Sequence, residues 1–248
     1  MKTRPNVLTI AGFDPTNGAG LTADVKTFEN LKCYGFAVQT ANTVQTDNEF
    51  HRCHWQPMEV IKSQVSALFG RFEIDFVKIG IVENWKVLNE VVDHVLSFNK
   101  NAVIVLDPVL HASSNFEFHD GNNDELDQLL AKITLITPNY NEIKALYPEK
   151  EVEDTIAHMQ KSTSVLLKGG HREEAIGQDE LYISGGDKYV FNPKMRNVSE
   201  KHGSGCVLSS AVTSYLALNY PLIKACYRGK MYTEKLLSSN KSLLGYHK

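Results

Sequence analysis

Short apolar, β-branched runs recur along this chain, each followed by a stretch with helical spacing. Asn6–Ala11, Phe36–Val44, Phe76–Ile81, Ala102–Leu106, Leu135–Thr137 and Ser164–Lys168 read as strands. Leu21–Leu31, Glu59–Phe69, Trp85–Phe98, Glu125–Ile133, Asn141–Leu146 and Val152–Gln160 read as helices. In the first helix Leu21, Val25, Phe28 and Leu31 form one apolar stripe; in the second, Val60, Val65, Leu68 and Phe69 are expected to face inward. Strands so continuously apolar are covered on both faces, which implies a parallel sheet between two helical layers. The rhythm then changes. Leu181–Ser184 and Lys188–Phe191 alternate at period two around Gly185-Gly186-Asp187, a β-hairpin pattern. Two helices, 205–219 and 222–238, follow. The expected fold is α/β: a single-domain three-layer α/β/α sandwich over residues 1–248, mostly parallel, with a late β-hairpin. A (β/α)₈ barrel fits the length, but the hairpin and the helical tail argue against it.

Charge narrows the partners. With 26 Lys and Arg against 29 Asp and Glu, the net charge is −3. No basic field favours nucleic acid or an anionic membrane, so an anionic substrate has to be held by local groups. No run approaches the ~18 apolar residues of a membrane span. Val7–Ala11 is too short for a signal-peptide core, and Asp14 follows at once, so a cytoplasmic protein is expected. The four cysteines, Cys33, Cys53, Cys206 and Cys226, form no Cys-x-x-Cys and are expected as free thiols. His51, Cys53 and His54 cluster in sequence, but no second ligand pair follows; they read as a surface loop, with no metal.

Three glycine-bearing or acidic segments carry chemistry. Gly18-Ala19-Gly20-Leu21-Thr22-Ala23 matches the dinucleotide fingerprint, which would mean an NAD-dependent oxidoreductase. In that fold the first glycine follows the strand directly, whereas a loop of about six residues intervenes here. The better reading is a loop whose backbone approaches a ligand. His202-Gly203-Ser204-Gly205-Cys206 opens a helix whose Val207, Leu208, Ala211, Val212, Tyr215 and Leu216 form one apolar face. Free N–H groups at such a start form an anion site. Cys206 sits in the first turn, where the helix dipole is expected to lower its pKa, to about 7, and favour thiolate. A cysteine hydrolase is then conceivable, but only His202 is near as a base. Asp107 and Glu142 follow strand ends, where ligands bind in open α/β sheets. They are placed to hold a hydrated Mg²⁺ bridging to phosphates, or are simply helix caps. Lys168 offers a cation at the same edge, or is a solvated strand end.

Together these stretches resemble the ribokinase-like superfamily, and within it the pyrimidine kinases of thiamine biosynthesis. The resemblance rests on Leu8–Pro15 through Gly18–Phe28, Val105–Val109, Ile136–Asn139 with Glu142, and Lys168–His171 with His202–Cys206. It implies a soluble, cytoplasmic, homodimeric kinase that transfers the γ-phosphoryl of ATP to a hydroxymethyl group, with Mg²⁺. Carried over, Gln45 would hydrogen-bond the pyrimidine, and Gly12, Asp24, Thr43, Ile81 and Val109 would line its pocket. Lys168, Asn139 and Ser204 would face ATP, and Asp107 and Glu142 would sit in the Mg²⁺ network. Gly203 and Gly205 would form the anion hole. Cys206 stands where most of the superfamily has a catalytic Asp, and would accept or orient the alcohol proton. The nearest alternative is a pyridoxal kinase of the same superfamily; a binding protein without turnover is a remoter one. After Asp107-Pro108-Val109, residues 110–115 lack the Lys or Arg usual in the family.

Overall fold

The computed structural model describes residues 3–110, 123–171, 175–195 and 198–247. Residues 111–115, which carry the departure just noted, lie outside that set. The described strands are β1 (Asn6–Phe13), β2 (Tyr34–Gln45), β3 (Phe50–Trp55), β4 (Phe76–Ile79), β5 (Val103–Leu106), β6 (Leu135–Ile136), β7 (Ser164–Leu167), β8 (Asp179–Tyr182) and β9 (Lys188–Phe191). The helices are α1 (Gly20–Asn30), α2 (Met58–Phe69), α3 (Trp85–Phe98), α4 (Asn123–Leu130), α5 (Tyr140–Leu146), α6 (Val152–Met159), α7 (Ser204–Ala217) and α8 (Leu222–Leu237).

The strands form one sheet in the order β3-β2-β1-β4-β5-β6-β7-β8-β9. The six from β2 to β7 are parallel neighbours; β3, β8 and β9 pair antiparallel at the two edges. Successive side chains of a strand point to opposite faces, and the core divides accordingly. Leu8, Ile10, Val77, Ile79, Ile104 and Leu106 pack against the layer built from α2 to α6. Val105, Leu135, Leu166 and Leu181 pack against Leu208 and Val212 of α7 and Ala225 and Cys226 of α8. α1 lies beside α7 on that second face, with Ala23 against Val207 and Ala211. This is the expected three-layer α/β/α sandwich. The chain reverses direction across the sheet between β1 and β4, and ligands of such sheets bind at the carboxyl ends flanking that point.

Three expectations need correction. His51, Cys53 and His54 are not in a loop but on β3, which pairs antiparallel with β2 in the register Cys53↔Thr43, His54↔Asn42 and Trp55↔Ala41. Their strand has no buried face to announce it; the backbone ladder holds it. Val60 is 40% exposed, because the inward stripe of α2 runs through Ile61 and Val65 instead. The single apolar face of α7 is also wrong. Ser209, Ser210, Thr213 and Ser214 are buried as fully as Val207 and Val212, since α7 is enclosed by the sheet, α1 and α8. Among the described residues no helix is long and apolar enough to cross a membrane, no group of three or more candidate ligands could hold a metal, and all four cysteines are free.

Candidate active site

A cavity of about 310 Å³ opens at the carboxyl ends of the parallel strands. Its geometry starts with the loop after β1. Asp14 folds that loop on itself, accepting from Thr16 N, Thr16 Oγ1 and Ala19 N, each at 2.8 Å. It also accepts from His202 Nε2 at 2.9 Å, which ties the loop to the start of α7. Burial pushes the Asp14 carboxyl up, but the His202, Thr16 and Ala19 hydrogen bonds outweigh it and hold the pKa below the usual carboxylate value. The two segments meet so closely that a Cβ at Gly203 would lie 2.1 Å from the Gly18 carbonyl oxygen, and Gly203 has φ +74°. Only glycine fits there.

Gly203 is the N-cap of α7 and offers no side chain to the helix start. Ser204, Gly205 and Cys206 line the cavity; Ser204 N donates to Lys201 O at 3.3 Å, and the first-turn N–H groups of Gly205 and Cys206 have no side-chain cap. A Cβ at Gly205 would stand 3.2 Å from Lys168 Nζ and 3.8 Å from Asp107 Oδ2, so this glycine lets both charges reach the helix start.

The charges come from strand ends. Asp107, after β5, accepts from Lys168 Nζ at 2.7 Å and Thr137 Oγ1 at 3.2 Å. Burial raises its pKa, but Lys168 and Lys78 prevail and hold it low. Lys168, after β7, also lies 3.5 Å from Glu142 Oε2. Burial works against its charge, and Asp107 and Glu142 more than restore it, so it stays a cation. Glu142 forms a capping box with Asn139: its Oε2 accepts from Asn139 N at 2.6 Å, and Asn139 Oδ1 accepts from Glu142 N at 2.9 Å. Burial pushes Glu142 up to about 7, with Asp107 adding to the rise and Lys168 opposing it. Glu142 thus caps α5 and also lines the cavity. Lys168 is no solvated strand end.

At the β2 side, Thr43 Oγ1 donates to Phe13 O and Gln45 Nε2 donates to Thr43 Oγ1, both at 2.8 Å. Ile81, just past β4, packs over Gly12, and Val109 N donates to Asp107 O at 2.9 Å. Gly12, Thr43, Gln45, Ile81, Val109, Asn139 and Lys168 share the cavity with the α7 start.

Asp24 does not belong with them. It is fully buried behind the cavity, accepting from Thr9 Oγ1, Lys78 Nζ and Ser210 Oγ at 2.6, 2.8 and 2.6 Å. It supports the floor rather than a ligand. Cys206 also departs from expectation. Burial pushes its thiol up to about 11; Lys78 pulls down, while Asp107 and Asp24 push up. Desolvation outweighs the helix dipole, so the resting group is a neutral thiol.

The comparisons with known proteins meet this geometry. The family model described as phosphomethylpyrimidine kinase matches residues 14–248. The chain belongs to the phosphomethylpyrimidine kinase family. A hydroxymethylpyrimidine/phosphomethylpyrimidine kinase of Aquifex aeolicus is 38% identical, over 96% of this chain and 97% of its own. A solved phosphomethylpyrimidine kinase from Clostridium difficile aligns with a TM-score of 0.77 at 31% identity, covering 93% of this chain and 98% of that one. The pyridoxal kinase from Staphylococcus aureus in complex with AMP-PCP aligns with a TM-score of 0.85 at 26% identity, covering 98% and 91%. The chain is an ATP-dependent kinase with the ribokinase-like fold. The oxidoreductase and hydrolase readings fall away, and the structure agrees: β1 runs on through Phe13 before any glycine turn, and His202 Nε2 lies on Asp14, not at the thiol.

Sequence reasoning about this kinase missed several cavity residues. Lys78 lines the cavity although it comes from the middle of a buried strand. A lysine inside the apolar run Phe76-Val77-Lys78-Ile79 was the available signal, since lysine is almost never buried unpaired. Asp14 and His202 meet across 188 positions. Asp179, Lys230 and Glu234 line the far end, and no local pattern joins them.

Proposed function

We propose that this kinase transfers the γ-phosphoryl group of ATP to the hydroxymethyl oxygen of 4-amino-5-hydroxymethyl-2-methylpyrimidine, and then to the phosphate of the monophosphate so formed, as in thiamine biosynthesis. The observation that carries the reading is that one cavity joins the Gln45–Thr43 wall to the glycine-capped start of α7 and to Lys168. Gln45 hydrogen-bonds the pyrimidine edge, and Gly12, Thr43, Ile81 and Val109 enclose the ring. Lys168, Asn139 and Ser204 face the nucleotide. The N–H groups of Gly205 and Cys206, at the start of α7 that Gly203 opens, take up the charge of the transferring phosphoryl group. Phosphoryl transfer depends chiefly on such positioning and neutralisation.

Cys206 orients the alcohol and accepts its proton as thiolate, the minor form of a thiol whose pKa is about 11. Lys78 supplies the nearby positive charge that makes this form attainable. Asp107 and Glu142 are hard oxygen donors on one wall, and Mg²⁺ asks for only one or two carboxylates beside waters and phosphates, so the pair fits an ion arriving with the nucleotide. Held by Asp107 and Glu142, such an ion would supply charge neutralisation to the phosphates. The superfamily resemblance supports a cytoplasmic homodimer as part of this reading.

A substrate panel tests it. Purified protein with ATP releases ADP on addition of the pyrimidine alcohol. ADP release with pyridoxal and none with the pyrimidine would move the assignment to a pyridoxal kinase.

A further inference from the structure

Beyond Lys168 the cavity continues into an end that none of the expected site residues reaches. Its walls come from segments far apart in sequence, and Lys230 of α8 joins them. Lys230 Nζ donates to the carbonyl oxygen of Gly177 and, at 3.2 Å, to Asp179 Oδ2, and lies 3.3 Å from Glu234 Oε1. Asp179 Oδ1 in turn accepts from Gly169 N at 2.8 Å. Glu234 Oε2 accepts from Lys194 N at 3.0 Å and Met195 N at 3.1 Å. All three residues are buried, at 4% exposure for Lys230 and 6% for Asp179 and Glu234.

An ammonium has three protons to give. Here each finds an acceptor within the triad or at Gly177, so Lys230 has none left for a ligand. Both Glu234 and Asp179 spend oxygens on backbone N–H groups. The triad therefore acts on the backbone at Gly169 and Gly177, on the backbone at Lys194 and Met195, and on α8. Pro193, Val198, Leu208 and Leu237 complete the same end of the cavity with apolar surface. That combination suits a flat, largely apolar ring. Two carboxylates against one ammonium make it a poor place for phosphates.

We propose that the Lys230–Asp179–Glu234 triad is the positioning group of the nucleotide slot: it fixes the backbone walls that clasp the nucleobase and leaves the phosphates to Lys168 and the start of α7. This rests on the reading of the cavity as the ATP site. Lys230 and its partners are positioning residues and take no part in the transfer itself.

The test is calorimetric binding of AMP-PCP to the full chain, with Glu234→Ala and Glu234→Gln. Glu234→Ala leaves a neutral Lys230–Asp179 pair but deprives Lys194 and Met195 N–H of their acceptor. With two charge-assisted hydrogen bonds lost, the dissociation constant for AMP-PCP is expected to rise about tenfold or more. Glu234→Gln keeps an acceptor oxygen and is expected to stay within about threefold of the unaltered protein, since only the charge is lost. In steady-state assays KM for ATP rises with the same ranking, and KM for the alcohol moves less than about twofold. A merely structural role would lower the melting temperature without this split. If Glu234→Ala does not fold, Asp179→Ala, which removes the acceptor of Gly169 N and of Lys230 Nζ, is expected to weaken AMP-PCP binding by about tenfold. Glu234→Ala binding like the unaltered protein, or both Glu234 variants weakening equally, would overturn the triad's role. Failure of the unaltered protein to bind AMP-PCP would instead overturn the nucleotide reading.

Discussion

Turnover of this kinase is expected to climb steeply with pH, and the reason is the burial of one thiol. Cys206 is pushed up to about 11 by loss of water around it, with Asp107 and Asp24 adding to the rise and Lys78 opposing it. A group with that pKa is ionised to about one part in 10⁴ at pH 7 and one part in 10² at pH 9. If the thiolate accepts the alcohol proton, kcat rises about a hundredfold over this range, a slope of one in the logarithm. The sign follows from the acid: raising the pH makes more of the reactive base. The assay is initial ADP release at saturating ATP and alcohol, in buffers of matched ionic strength. Cys206→Asp, which installs the usual superfamily residue, supplies a base with a far lower ordinary pKa and is expected to remove the slope. Cys206→Ala keeps the fold and loses most turnover. A flat profile for the unaltered enzyme between pH 7 and 9 would refute the thiolate as proton acceptor, and unchanged turnover in Cys206→Ala would show the thiol to be structural.

Other consequences are open to measurement. Lys78→Met leaves the Asp24 carboxylate buried without its cation, and denaturant unfolding is expected to show a loss of about 3–5 kcal/mol; adding Asp24→Asn recovers most of it. Gly203→Ala forces a Cβ against the Gly18 carbonyl at a φ of +74°. The displaced anion loop is expected to cost turnover about a hundredfold in ADP release. Gln45→Ala removes one pyrimidine hydrogen bond, and KM for the alcohol is expected to rise about tenfold while KM for ATP holds.

Much of this fold is legible in the sequence because hydrophobic periodicity reports burial. The helical spacing of Trp85–Phe98 coincides with α3 to the residue, with Asn84 accepting from Val87 N as its N-cap. The runs that became β4 to β7 are apolar on both faces, as a covered parallel sheet demands. β3 escaped notice because its side chains bury little, and its pairing with β2 is backbone work that leaves no pattern. The site was legible wherever loop chemistry is local: Asn139 with Glu142, and Gly203 to Cys206. It was illegible where partners come from elsewhere. Asp24 looks like a pocket residue until Lys78, 54 positions away, is seen to bind it from the sheet. The ionisation of Cys206 is illegible for a related reason: its place in α7 is a sequence property, but its desolvation is set by the enclosing sheet.

In the proposed reaction the Gln45 wall presents a hydroxymethylpyrimidine to the start of α7. The most direct measurement supplies the pyrimidine alcohol and pyridoxal together, in equal amounts, with ATP labelled in the γ-phosphoryl group, and follows the label by mass spectrometry. Label is expected first on the pyrimidine alcohol and later on its diphosphate, with pyridoxal unlabelled. Label accumulating on pyridoxal while the pyrimidine stays unmodified would contradict it.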